Sequence, residues 1–233
     1  QKTAYEIYQC DWSSDVCSSD LIDTAGRTIQ VPITFDGVNG YWTLSNALVA
    51  NATTPLTLTN GQVDFNQKAI TFANITTTSA TANASFFNAN GYSLNYVQTN
   101  GNLRSIGGTF LNSTTGNFTI SGGTFYNNNG FTSNVFTLTA GSVVSNSALT
   151  TGVFTHTAGN FTINTGGTLN AQGYTQNGGN IILNGGDLTT TTFTSNNSTA
   201  RSIQFGTSNI NVTSTGTVVN MATTTNLTVT GNA

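Results

Sequence analysis

The chain offers few side chains that could perform acid–base chemistry. Cleavage of a polysaccharide by a β-helical enzyme needs clustered carboxylates, or a carboxylate together with Arg and Lys. After residue 21 the only acidic residues are Asp23, Asp36, Asp64 and Asp187. The separation of Asp36 from Asp64 corresponds to about one and a half periods of the repeat described below, so stacking would not bring them together. We therefore expect no catalytic residues, no cofactor and no enzymatic activity.

Metal chemistry has equally little support in the sequence. His156 is the only histidine, and a lone imidazole makes a poor metal site. It stands at a repeat position that other copies fill with Gln, Ile, Leu or Ser, so we interpret it as a packing or surface residue. A calcium β-roll would need repeated Gly-Gly-x-Gly-x-Asp motifs, and "NGGDL" at Asp187 is a single imperfect copy. The prediction is that the chain binds no metal.

An internal repeat determines which elements the chain can form. Its pattern is an aromatic residue, two variable residues, then Thr, Ser or Asn, one variable residue and Gly, followed by a second strand-like run. Thr and aromatic residues favour strands, and no stretch has the ~3.6-residue spacing of an amphipathic helix. The copies are "YVQTNG" from Tyr96, "FTISGG" from Phe118, "FTLTAG" from Phe136, "FTHTAG" from Phe154, "YTQNGG" from Tyr174 and the degenerate "FTSNN" from Phe193.

The period predicts an all-β fold, a right-handed parallel β-helix or β-solenoid with coils of about 18–22 residues. A single coil cannot bury its own apolar face, so stacked coils must share one core. We expect the aromatic residues to stack inward and the glycines to occupy corners with positive φ. Corner asparagines, such as Asn177 and Asn184, are expected to stack their amides between coils. Residues 22–233 would form one such domain, a fragment of a longer protein.

Alternation along a strand predicts a second, outward feature. If the aromatic residue points inward, the following residue and the residue two further on point outward. These positions form a polar ladder that resembles the ice-binding face of some antifreeze proteins, although Thr also suits exposed strands in general. The ladder consists of Thr119 and Ser121, Thr137 and Thr139, Thr155 and Thr157, Thr175 and Asn177, and Thr194 and Asn196.

The N-terminal segment, residues 1–21, differs in composition from all that follows. It contains both cysteines, Cys10 and Cys17, and five of the thirteen charged residues. Residues 1–7 and 11–21 resemble, in one reading frame, the translated fixed parts of a DNA sequencing adapter, with residues 8–10 at its variable index. The resemblance implies that residues 1–21 are a non-native artefact without a structure of their own. Their cysteines and aspartates match no known metal-ligand spacing, so we leave the segment out of the fold argument.

The flanks of the repeat carry a second resemblance. Residues 40–72, with Trp42-Thr43-Leu44 and "LTLTNGQVDFN", and residues 193–231, with "NNSTARSI", resemble parts of a unit found in secreted bacterial and phage repeat proteins. The resemblance covers about a third of the chain, and a Trp that many copies carry near Val219 is missing here. It implies a β-helical, adhesin-like surface module at an extracellular, cell-surface or virion-surface location.

Composition limits the partners. The formal charge of −3 belongs entirely to residues 1–21, so residues 22–233 have no net charge and no basic patch for nucleic acid. No apolar run approaches the ~18 residues of a membrane span. We expect a non-catalytic structural or adhesive segment whose partners are glycans, surface proteins or further solenoid coils. Ice binding and a carbohydrate-active β-helix enzyme are the alternatives, and the oligomeric state stays open.

Overall fold

A computed structural model arranges the described strands in two parallel sheets, one of 20 strands and one of 3. The structure describes residues 20–51, 54–64, 66, 68, 70–72, 74–78, 81–84, 95–98, 102–105, 117–128, 130–215, 219–221 and 223–231. Within these residues the protein is all-β without a helix, and every strand pairing is parallel. The described part of the chain therefore offers no helix that could span a membrane. The prediction of a parallel β-solenoid is confirmed.

The strands are short, and most of them alternate between buried and partly exposed residues. In the first half of the chain they are β1 (Asp20–Ile22), β2 (Thr28–Ile29), β3 (Ile33–Leu44), β4 (Leu48–Ala50), β5 (Pro55–Asp64), β6 (Ile70–Thr71), β7 (Asn74–Thr77), β8 (Thr81–Ala84), β9 (Asn95–Gln98), β10 (Asn102–Ser105), β11 (Asn117–Ile120) and β12 (Thr124–Asn127). In the second half they are β13 (Phe131–Leu138), β14 (Ser142–Ser145), β15 (Ala148–His156), β16 (Asn160–Asn164), β17 (Thr168–Gln176), β18 (Gly179–Asn184), β19 (Asp187–Thr194), β20 (Arg201–Gln204), β21 (Ile210–Val212), β22 (Val219–Asn220) and β23 (Leu227–Thr230).

Each coil presents up to three strand segments that pair with the same segments of the next coil. The long strand β15 shows the design, because its inward residues Leu149 and Thr151 are separated from the inward Phe154 by two outward residues. That break in alternation turns the strand around a corner. A third segment follows the next bend, and β14, β16 and β18 stack there in register. The solenoid core lies between these segments.

The predicted aromatic stack is present along the middle coils. Phe118, Phe136, Phe154, Tyr174 and Phe193 pair in register and are buried. The Phe136 and Phe154 ring centroids are 4.7 Å apart, those of Phe154 and Tyr174 5.1 Å, and those of Tyr174 and Phe193 5.5 Å. Aromatic contacts at these distances add to the free energy gained by burial. Each interval between successive members falls within the predicted coil length.

The coil length changes near the C-terminal end. Phe193 pairs with Val219, so this coil is longer than the predicted range allows. The excess lies in chain between the strands, since β19 ends at Thr194 and β20 begins only at Arg201. Longer connections are tolerated on a solenoid because they leave the stacking of neighbouring strands intact.

The corner glycines of the repeat adopt the predicted left-handed backbone. Gly123, Gly141, Gly159 and Gly179 have φ values of 67°, 77°, 86° and 73°. At each corner the backbone of one coil lies directly against the backbone of the next. A Cβ atom added to Gly141 would lie 2.6 Å from the carbonyl oxygen of Gly123. These corners therefore need glycine for both its φ and its missing side chain.

The proposed boundary at residue 21 falls inside β1. Asp20 pairs with Trp42 and Leu21 pairs with Thr43 on β3. Residues 1–19, including both cysteines, lie outside the described residues.

Candidate contact surfaces

The aspartates make separate local hydrogen bonds and do not share a site. The Asp187 carboxylate accepts a hydrogen bond from the Asn209 backbone N–H at 2.8 Å, and that of Asp36 accepts one from the Asn60 amide at 2.6 Å. Asp64 binds the Tyr41 hydroxyl and the Asn66 backbone N–H, while Asp23 binds the Ala25 backbone N–H and the Asn46 amide. Among the described residues no group of three His, Cys, Asp or Glu side chains comes together. These carboxylates fix local loops, as at Asp23 and Asp187, or join neighbouring strands, as at Asp36 and Asp64.

His156 lies inside the solenoid. Its Nε2 is 3.2 Å from the Gly159 carbonyl oxygen and its Nδ1 is 3.0 Å from the Tyr174 hydroxyl. Because a carbonyl only accepts, we assign the proton to Nε2, which leaves Nδ1 to accept from the tyrosine. Burial lowers the pKa of His156 to about 4, against the opposing effect of its backbone hydrogen bonds. Burial likewise raises the pKa of the Tyr174 hydroxyl well above 10. His156 is therefore a packing residue and not a surface residue.

The interior becomes polar toward the C-terminal coils. Leu138, His156 and Gln176 pair in register, so one inward column changes from apolar to polar along the rod. Gln176 receives a hydrogen bond from the Ser195 hydroxyl at 3.0 Å and donates to the Ser202 carbonyl at 3.0 Å. Each buried polar group here has a partner, as stability requires.

Arg201 contacts the C-terminal end of this polar column through Ser195. The side chain is only 3% exposed. Its guanidinium donates to the Ser195 hydroxyl and carbonyl, both at 2.7 Å, and to the carbonyl oxygens of Asn197, Thr199, Thr223 and Thr225. The guanidinium thus joins two long connections of the C-terminal coils. Because its partners are neutral oxygens, the buried charge is stabilised by dipoles.

The predicted threonine ladder separates into two different rows. Its first members are in register on successive strands and partly exposed, and we name Thr119, Thr137, Thr155, Thr175 and Thr194 the threonine row. The second members, Ser121, Thr139, Thr157, Asn177 and Asn196, follow the ends of those strands. Several of these bend residues bond back to the preceding coil, as the Thr139 backbone N–H does to Ile120 at 2.8 Å.

Apolar positions adjoin the threonine row on the same strands. Val135 and Val153 lie outward beside it, and Val153 is 45% exposed. The row is therefore one line of hydroxyls next to a line that is partly aliphatic. The backbone therefore does not form a Thr-x-Thr array that lies wholly within the strands.

A second face, on β14, β16 and β18 and their neighbours, carries rows of amides that the sequence argument did not identify as a surface. The Asn146 amide donates to the Asn128 Oδ1 at 2.7 Å, that of Asn164 to Asn146 at 2.7 Å, and that of Asn184 to Asn164 at 3.0 Å. The amide stacking predicted for Asn184 is thus confirmed. Asn177, the other example, bonds through its backbone N–H to the His156 carbonyl at 2.7 Å.

A shorter polar row runs along the opposite border of this face. The Asn180 amide donates to Asn160 Oδ1 at 2.9 Å, and the Ser202 hydroxyl donates to Asn180 Oδ1 at 2.7 Å. Between the two borders lies a central row of partly exposed residues, which includes Val144, Thr162 and Ile182. We call this surface the amide face; it comprises Asn128, Asn146, Asn164 and Asn184 on one border, Asn160, Asn180 and Ser202 on the other, and Val144, Thr162 and Ile182 between them.

Both faces are uncharged. Residues 105–186 contain no Asp, Glu, Lys or Arg. Contacts made by these coils must therefore come from hydrogen bonds and apolar packing, and salt screens such contacts little.

Comparisons with known proteins found no matching family model, no matching curated protein and no matching solved structure.

The period of the amide ladder was the signal that could have revealed it. Asn128, Asn146, Asn164 and Asn184 follow one another at intervals of 18, 18 and 20 residues, the same intervals that separate the aromatic residues of those coils. Applying the aromatic period to the asparagines would have placed these four residues on one line.

Proposed function

We propose that this chain is a non-catalytic structural and adhesive segment of an extracellular, cell-surface or virion-surface protein. Its solenoid, which has no net charge, would act as a spacer and as a surface for weak, repeated contacts with glycans or surface proteins. The observation that carries the proposal is the in-register repetition of outward polar rows on coils whose residues 105–186 include no charged side chain. Identical groups recurring on successive coils favour polyvalent contact, in which many weak interactions add up to firm attachment.

The number of copies on a surface tests this function. Beads carrying many copies of the full chain, and beads carrying widely spaced single copies, would be washed over surfaces coated with neutral polysaccharide, with mucin glycoprotein or with nothing. The proposal predicts retention of the dense beads on at least one coated surface and weak retention of the sparse beads. Equal behaviour of both kinds of bead on all three surfaces would contradict it.

Ice binding is a second candidate because the threonine row is in register over five coils. The pair Thr137→Ala/Thr155→Ala removes two adjacent hydroxyls from its middle. If the row binds ice, the full chain should slow ice recrystallisation and this double variant should not. Equal recrystallisation with and without the wild-type chain would remove this candidate.

We also propose that residues 1–21 are foreign to the gene. Amplifying the locus across the start of the reading frame and sequencing it tests this origin. Loss of the codons for residues 1–21 from the source DNA is the expected result. Their persistence would restore Cys10 and Cys17 as residues to be explained.

A further inference from the structure

The amide face combines fixed polar borders with a partly apolar centre. The residues of the Asn ladder hold one another in place, since Asn164 donates to Asn146 and accepts from Asn184. A side chain that is already ordered loses little conformational freedom when a ligand binds. The face is thus organised before any contact is made.

The hydrogen bonds of the ladder do not use every donor and acceptor of the Asn146 and Asn164 side chains. A carboxamide has two N–H donors and two acceptor lone pairs on its oxygen. In Asn146 the ladder uses one N–H toward Asn128 and one lone pair toward Asn164. One donor and one acceptor remain on this exposed side chain, and the partly exposed Asn164 keeps the same pair. Successive coils therefore offer the same donor–acceptor pair about every 4.8 Å along the rod.

We propose that the amide face binds a neutral, linear polysaccharide that runs along the rod axis. This inference rests on the proposed adhesive function and names its surface and ligand class. A sugar hydroxyl both donates and accepts, which matches the remaining pair on each amide. The C–H faces of the sugar rings pack on Val144, Thr162 and Ile182 between the borders. A polymer with regularly spaced hydroxyls meets equivalent partners on coil after coil.

Charge and area favour this ligand over two others. An anionic polymer would need cationic partners, and residues 105–186 provide none. A second copy of the chain would need about 800 Å² of buried surface on each partner. The face is about 13 Å wide, from Asn160 to Asn164, and about 19 Å high, from the coil of Asn128 to the coil of Ser202, given the usual strand dimensions. That area, on the order of 250 Å² from the same dimensions, suits a narrow chain better than a protein.

Binding of the full chain to microcrystalline cellulose and to chitin beads tests the proposal. The double variant Asn146→Ala/Asn164→Ala removes two ladder amides. Thr162→Lys keeps the ladder but covers the central row with a long charged side chain, and it serves if the double variant unfolds. The matched control is Thr137→Ala/Thr155→Ala on the threonine row. Circular dichroism and thermal unfolding establish that each variant is folded.

The proposal predicts that wild type and the threonine-row control bind at least one of the two matrices equally well. Each amide-face variant should bind at least about tenfold more weakly, because every lost hydrogen bond or packing contact of ordinary strength lowers affinity severalfold. Added dextran, a flexible polymer, should compete less well than soluble cello-oligosaccharides.

Three results would overturn the inference. The first is a wild-type chain that binds neither matrix. The second is binding that falls in the threonine-row control and not in the amide-face variants, which would move the contact to the other face and leave the adhesive function standing. The third is a dimer, detected by sedimentation, that Thr162→Lys abolishes. Failure of the adhesive function itself is distinct, since dense beads would then be retained on no coated surface.

Discussion

Gly141→Ala should destabilise the solenoid by about 1–5 kcal/mol, the sum of backbone strain and close contact less an entropic offset. The residue has a φ of 77°, a conformation that costs an L-residue roughly 1–2 kcal/mol. Its new Cβ would lie 2.6 Å from the Gly123 carbonyl oxygen and 2.7 Å from the Gly122 carbonyl carbon. Forcing these backbones apart costs about 1–3 kcal/mol. Reduced entropy of the unfolded chain offsets about 0.4–1 kcal/mol of the total.

Substitutions of two other glycines separate the cost of backbone strain from the cost of close contact. Gly130 has a φ of 81°, but its added Cβ would be 3.9 Å from the nearest atom, so Gly130→Ala tests backbone strain alone. The φ of Gly152 is not positive, but its Cβ would lie 2.7 Å from the Asn134 carbonyl oxygen, so Gly152→Ala tests contact alone. From the same costs we expect the unfolding free energy to fall by about 1 kcal/mol in Gly130→Ala and by about 1–2 kcal/mol in Gly152→Ala.

Urea unfolding of the full-length variants measures these differences through the transition midpoint at an unchanged slope. The loss for Gly141→Ala should exceed the sum of the other two by about 0.4–1 kcal/mol, because that sum includes the entropic offset twice. A loss within about 0.5 kcal/mol of zero, the range of ordinary surface substitutions, would refute the close backbone approach at this corner. Equal losses for Gly130→Ala and Gly141→Ala would leave strain as the only cause.

Substitutions at three further positions probe the interior. His156 has a folded-state pKa of about 4, below its ordinary 6.5, so its contribution to stability is complete above pH 6.5 and disappears as the pH falls to about 4. The unfolding free energy of the wild type should decline by roughly 3 kcal/mol across that window. This part of the decline should vanish in His156→Gln, which places the residue of the next coil, Gln176, at this position. Arg201→Met should lower the thermal midpoint by about 6–12 °C, because about 3 kcal/mol of stability is lost when buried carbonyls lose their donor. Arg201→Lys should recover only part of that stability, because lysine lacks the planar, forked guanidinium. An unchanged midpoint in Arg201→Met would show that these connections do not depend on the guanidinium. Phe154→Ala should cost about 3–5 kcal/mol in urea unfolding and Phe154→Leu clearly less; equal costs would argue against a closely packed aromatic stack.

The fold was predictable because one pattern recurs on every central coil. An aromatic residue and a glycine at constant spacing determine which residue points inward and where the chain must turn, and both Phe136 and Gly141 behave as predicted. The longer coil between Phe193 and Val219 was not predictable, since the aromatic position is filled there by an exposed valine.

The surfaces were harder to predict than the core. Asn is frequent throughout the chain, and its position in a ladder becomes visible only when the register of outward residues is known, as for Asn146 and Asn164. The burial of Arg201 was also hidden, because a single Arg in a polar segment gives no periodic signal and two of its oxygen partners, Thr223 and Thr225, lie on a distant connection. His156 was predicted in part, since its place in the repeat indicated either a packing or a surface position, and the structure shows that it packs inside.

The response of bead retention to salt shows whether the contact surface of the solenoid is uncharged. Dense beads of the full chain would be held on a neutral polysaccharide surface while the ionic strength rises from about 0.05 to about 1 M, which shortens the screening length to a few ångströms. An uncharged contact surface predicts retention that stays constant or rises slightly over this range. Retention that falls steeply with salt would contradict it, because the contact would then depend on the few charged residues outside the uncharged coils.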